Sequence, residues 1–178
     1  LDVLLYDNST AQLTNLTPGN PSWTILGSTP PRISADGRWV LFNTFSFAKL
    51  LDINSGELRD LPFQSVSAFA LSADAQKIVL KHPAAGNQRI SVYDTTTGQT
   101  LNAISAPDFF KLWSPEISDD GSLVVLYSTE DQNPGDTPNN SGGLYLWNWA
   151  TDAKTFIAGE GERPYEAFDI SADGSRVV

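Results

Sequence analysis

The chain has 178 residues, with 21 acidic and 11 basic side chains and a formal net charge of −10. That balance repels a nucleic-acid backbone and no basic stripe reverses it, so nucleic acid is excluded as a partner. The lack of Cys removes disulfides, thiolate chemistry and cysteine zinc sites.

No run reaches the roughly 18 apolar residues of a membrane span, so membrane insertion is not expected. Leu1-Asp2-Val3-Leu4-Leu5 lacks the basic start and long apolar stretch of a signal peptide. The absence of Met, position 1 included, is expected of a processed, excised or incompletely defined piece.

In chain order, residues 1–6 and the alternation at Leu13 and Leu16 predict two short strands around a turn at Asp7-Asn8-Ser9-Thr10. Residues 17–32 are rich in Pro, Gly, Ser and Asn around Trp23, Ile25 and Leu26, which predicts a long connection holding one short strand. Next comes Ile33-Ser34-Ala35-Asp36-Gly37. It returns as Leu71-Ser72-Ala73-Asp74-Ala75, Ile117-Ser118-Asp119-Asp120-Gly121 and Ile170-Ser171-Ala172-Asp173-Gly174. Ser and Asp can bond nearby backbone amides and Gly accepts a positive φ, so each pentad predicts a tight turn.

After the pentads, residues 38–42, 77–80 and 122–127 are apolar on both faces, the mark of strands buried between neighbours. Further strands are predicted at 49–53, 89–93 and 144–147, then at 57–61, 100–104 and 154–158, with a loop at 83–87. Short strands at 65–71, 110–117 and 165–170 complete four-stranded meanders. Asp7, Asp52, Asp94 and Asn148 close equivalent strands, with Ala11, Gly56, Gly98 and Asp152 four residues later.

The pentads begin at 33, 71, 117 and 170, in steps of 38, 46 and 53 residues, lengthened chiefly by an insertion at 130–143. A period of this size with four strands per unit predicts an all-β fold, a β-propeller of four-stranded antiparallel blades. The blade parts are 1–16, 17–61, 62–104, 105–158 and 159–178, about four blades in all. The chain starts at the third strand of one blade and stops at the second strand of another. Two readings follow: a closed small ring whose ends share a blade, or part of a larger propeller.

The pentads, taken with Leu50-Leu51-Asp52, Val92-Tyr93-Asp94 and Leu146-Trp147-Asn148, resemble the TolB-type, or WD-like, propeller repeat. The fourth copy joins Leu5-Tyr6-Asp7 only if the ends meet. The family's usual Pro is absent from every copy and Ala75 replaces the turn Gly, so the resemblance is to the superfamily. It implies mostly architecture, and it favours the periplasm or the outside of the cell; the main reading is a non-catalytic scaffold that binds a protein or other ligand through loops at one end of the ring. It also leaves open the propeller lid of a prolyl-oligopeptidase-like serine peptidase, or a carbohydrate-active propeller.

Catalytic chemistry finds little support. A single active site does not need its Ser and Asp four times. His82, the only histidine, stands beside Pro83 in a predicted loop without any Gly-x-Ser-x-Gly, and reads as a surface residue. Glu116, Asp119, Asp120, Glu160, Glu162, Glu166 and Asp169 read as solvated acids, since glycosidase chemistry turns on spatial separation.

Glu130-Asp131-Gln132-Asn133-Pro134-Gly135-Asp136 carries oxygen ligands suited to calcium, with Asp131, Asn133 and Asp136 as the metal-ligating candidates. Its prolines and lack of a closing Glu depart from the EF-hand loop, and no other cofactor is expected. Trp39 and Trp147 lie on strands and should pack between blades, whereas Trp23, Trp113 and Trp149 are candidates for a partner face. Exposed terminal edge strands offer a route to oligomers. The sequons at Asn8, Asn15 and Asn139 are readily explained by composition.

Overall fold

The computed structural model describes residues 2–18, 29–44, 47–106, 112, 114–132, 141–159 and 168–178. Among them all regular structure is β. A hairpin of β1 (Leu4–Asp7) and β2 (Gln12–Asn15) comes first. Three antiparallel meanders follow: β3 (Arg32–Ile33), β4 (Trp39–Asn43), β5 (Ala48–Asp52) and β6 (Leu58–Asp60); β7 (Ala68–Leu71), β8 (Lys77–Ala84), β9 (Asn87–Asp94) and β10 (Gln99–Ala106); β11 (Glu116–Ile117), β12 (Leu123–Glu130), β13 (Ser141–Asn148) and β14 (Ala153–Ala158). A last antiparallel bridge joins Ile170 to Val177.

Each pentad folds as its residue types dictate. The Ser Oγ donates to the Asp Oδ1 two residues on, at 2.5 Å in Ser34–Asp36 and 2.8, 2.6 and 2.7 Å in the later copies. The same Oγ accepts the amide of the incoming strand, from Trp39, Lys77, Leu123 and Arg176 in turn. The fifth residue is left-handed in every copy: φ is 72° at Gly37, 55° at Ala75, 71° at Gly121 and 70° at Gly174. Backbone bonds also tie one pentad to the next. The amide of Ala73 donates to the Asp119 carbonyl and that of Asp119 to the Ala172 carbonyl, both at 2.9 Å.

At the other turn on this end, Asp94 Oδ1 accepts the amides of Thr96 and Thr97 and the Thr96 hydroxyl, while Oδ2 takes Lys77 Nζ at 3.1 Å. Asp52 similarly takes Arg38 at 2.7 Å and the Asn54 amide at 2.9 Å. These bonds, led by Arg38 for Asp52 and by Thr96 for Asp94, hold both carboxyls well below the usual Asp range. A depressed folded-state pKa adds stability above the unfolded value, near 3.8, and loses it as pH falls through the folded one. We expect the urea midpoint to drop between pH 7 and pH 3, and Asp94→Asn to lower the pH 7 midpoint while shrinking that drop. An unchanged drop in the variant would refute the assignment. Asn148 at the equivalent position, accepting the amides of Ala150 and Thr151, shows that the turn tolerates Asn.

The apolar strands are buried on both faces because each sheet lies between two others, and successive side chains point opposite ways. Val40, Phe42 and Leu51 pack on Val3 and Leu16 of the hairpin. Leu41 and Leu50 instead meet Phe69, Ile78 and Leu80 of the next sheet. Val79, Ile90 and Val92 join Val124, Leu126, Tyr145 and Trp147. Val125, Tyr127 and Leu144 meet Ile170 and Val177. Among the described residues the sheets do not close: β1 pairs with β2 and Val177 with Ile170, and these two pairs are not joined to each other.

Two expectations are corrected. The predicted loop at 83–87 shrinks to a two-residue turn, Ala85 (φ 51°) and Gly86 (φ 83°), between extended β8 and β9. His82 therefore lies within β8 and is 8% exposed, not a surface residue. It follows Ile78 and Leu80 on the face turned to the preceding sheet, sets its ring centroid 4.7 Å from that of Phe63 at a tilt of 54°, and places Nε2 2.9 Å from Ser91 Oγ. Burial lowers its pKa, so the neutral ring is favoured.

Candidate functional site

The first strands of successive sheets face one another, and the residue before each pentad occupies the same register: Arg32, Ala70, Glu116 and Asp169. Around them lies a polar cavity of about 260 Å³, walled also by Ile33, Leu71, Ile117 and Asp119. Arg32 Nη2 reaches past the middle sheet to Glu116 Oε1 at 2.7 Å. Burial raises the Glu116 pKa; the Arg32 charge opposes that and the Asp169 charge adds to it. Glu116 is thus half-buried and ion-paired rather than one more solvated acid.

Of the other acids, Asp120 is used by its own turn, bonding Ser118 and Ser122. Glu160, Glu162 and Glu166 lie outside the described residues. The sequence reading missed Arg32, although its position ahead of the first pentad, matching Glu116 and Asp169, was a usable signal.

The remaining candidates are dispersed. Asp131 Oδ1 accepts the Tyr145 hydroxyl at 3.3 Å, and Asn133 and Asp136 lie outside the described residues. Among the described residues no group of three or more His, Asp or Glu side chains could hold a metal ion. Trp23 and Trp113 also fall outside them. Trp149 is half-buried against the core, donates its indole N–H to the Gly121 carbonyl at 2.7 Å, and accepts Asn102 Nδ2 on its own carbonyl at 2.6 Å. It stands in the turn between β13 and β14. The connections carrying Trp23 and Trp113 join fourth strands to first strands, which leave from the opposite end of the sheets.

Four-stranded meanders packed face to face, with their first strands innermost, define a β-propeller architecture. No family model matches the sequence, and no curated protein does. Solved structures match its fold, which is similar to that of TolB. TolB from Acinetobacter baumannii matches with a TM-score of 0.70 at 17% identity, over 99% of this chain and 42% of that one. An oligogalacturonate lyase in complex with manganese matches at 0.60 and 16%, over 90% and 47%. The β-propeller domain of the Trilobed protease from Pyrococcus furiosus matches at 0.55 and 14%, over 82% and 45%. The chain spans less than half the length of each, and at these identities the likeness concerns the fold.

Proposed function

We propose that this propeller scaffold is non-catalytic and binds a protein partner through the end of its sheets opposite the pentads. The observation that carries this is a contrast in turn length. At the pentad end, the connections within β1–β14 are all four or five residues long; at the other end they run from two residues, 85–86, to sixteen, 16–31. Strands and closed turns form a constant frame, and variation is gathered where the insertion at 131–140 and the Trp23 and Trp113 connections leave it. Rigid frames with variable loops at one end are the usual layout of binding proteins.

The non-catalytic part of the reading is supported by His82 and Ser91, which are hydrogen-bonded to each other but too buried to meet a substrate. The polar cavity beside Arg32 and Glu116 favours, as a second reading, a small polar ligand held at the centre of the array.

A photo-crosslinking residue at exposed Gln64, in the connection 61–67, is expected to capture protein partners in an extract of the source cells. The same residue at exposed Thr97, in the pentad-end turn, should not. Equal capture from both positions, or none from Gln64, would refute the proposal.

A further inference from the structure

His82 sits where its strand loses support. β7 pairs with β8 only as far as Lys81, so from His82 onward β8 has β9 alone beside it. The two pairs beyond, Pro83 with Gln88 and Ala84 with Asn87, have little to hold them. Pro83 brings no N–H to the ladder, Gln88 Oε1 is buried without a hydrogen-bond partner, and Ala85 takes a left-handed φ of 51°. The imidazole bridges this change. A carbonyl only accepts, so Nδ1 donates to the Pro83 carbonyl at 3.1 Å and Nε2 accepts the Ser91 hydroxyl at 2.9 Å. One ring thus ties the hairpin tip to the buried part of β9.

Its surroundings suit the neutral ring alone. His82 and Ser91 are 8% and 1% exposed. On this face of its own sheet the charged or titratable groups are Arg89, opposite the ring in the ladder, and Tyr93; Lys77 and Lys81 alternate onto the other face. Arg89 adds to burial in opposing a second positive charge. Tyr93 is a neutral phenol set edge-on to Phe63 at 5.2 Å. The charged groups of the preceding sheet are engaged elsewhere. Lys49 pairs with Asp60 on its far face, beside Phe42, while Arg38 bonds Asp52 at the pentad end and Arg59, bonded to Glu57, lies over Trp39. β7, β10 and the connection 61–67 carry no titratable residue. A proton on Nε2 would make that nitrogen a donor, so the Ser91 hydroxyl would lose its acceptor and a buried charge would face Arg89 without a carboxylate.

We propose that His82 is an acid-sensitive fastener of the β8–β9 tip: the neutral ring holds residues 83–88 closed, and its protonation lets them open while the rest of the sheet stays folded. The turn at 85–86 lies at the end proposed above to bind a partner, so acid would alter that surface. This consequence rests on that reading, whereas the fastener itself does not.

The sequence has one histidine, so a single imidazole signal in NMR spectra follows it, and its midpoint is expected below the ordinary 6.5. Because the open ring takes a proton more readily than the closed one, closure weakens as pH falls below that value. Hydrogen exchange of the 84–88 amides, corrected for the intrinsic effect of pH, should show opening rise about five- to thirtyfold from pH 7.5 to 5.0; thirtyfold is the limit for a ring that stays neutral when closed. The β12–β13 ladder should show no comparable rise. His82→Phe and His82→Gln should each abolish the pH dependence at the tip, and either one suffices where the other fails to fold. Asp52 and Asp94 titrate well below this range and cannot produce the step. No rise in the wild type, an equal rise in β12–β13, or a rise that persists in a folded variant would overturn the proposal.

Discussion

Replacing Trp147 by alanine is expected to destabilise the protein by about 3–5 kcal/mol, the range for emptying a buried tryptophan site. Trp147 is fully buried and stands with Tyr145, Val124 and Leu126 where the β11–β14 sheet meets the β7–β10 sheet. Its indole N–H donates to Asp152 Oδ1 at 3.0 Å, across a turn in which Asp152 is left-handed at φ 57°. The loss therefore combines a cavity at a blade boundary with a loosened turn. Thermal denaturation should show a midpoint lower by roughly 10 °C, given about 2–4 °C per kcal/mol for a chain of this size. Trp147→Phe, which keeps much of the volume, should lose less than half as much. A Trp147→Ala shift below 3 °C would mean that this boundary is not a principal source of stability.

The second large effect is expected at Gly142, where alanine should cost about 3 kcal/mol by forcing apart two strands that now touch. A Cβ built there would stand 2.0 Å from the Ser128 carbonyl oxygen and 2.2 Å from the Thr129 carbonyl carbon. These atoms are backbone, so no rotamer change relieves the contact. The β12–β13 ladder pairs Ser128 with Gly143 and Glu130 with Ser141, and Gly142 sits between those pairs. Faster amide exchange at the far ends of β12 and β13, together with a lower urea midpoint, is the expected signature. Gly37→Ala is a useful comparison: it strains only the backbone, since nothing lies within 4 Å of its added Cβ. If Gly142→Ala cost no more than Gly37→Ala, the close approach would not be what requires glycine.

His82 shows where sequence reasoning stops. Proline next to the histidine and a Gly three residues beyond Pro83 pointed to a loop. Pairing in the β8–β9 hairpin instead extends both strands to a two-residue turn, with Pro83 opposite Gln88. A ladder built by a partner strand overrode the local signal. The acids near Glu116 show the same limit from the side of function. Arg32 and Glu116 are 84 residues apart in sequence, and only the packing of three sheets brings them into one ion pair. Ala75 shows the reverse: the sequence signal held although the preferred residue was absent. It takes a left-handed φ of 55° in a pentad otherwise closed by Gly, and its methyl group is buried in the core shared with Leu41 and Ile78.

The sequence by itself determined the turns, the strands buried on both faces and the blade period. Each is written within a few residues of chain, as a Ser–Asp bond, a residue able to take positive φ, or an unbroken apolar run. The tertiary structure alone decided which residues meet across blades: the buried His82 and Ser91, the axial group of Arg32, Glu116 and Asp169, and the separation of Trp149 from the end that carries the variable connections. Such contacts depend on how whole sheets stack and on which end of a strand a connection leaves, and no local stretch of sequence encodes either.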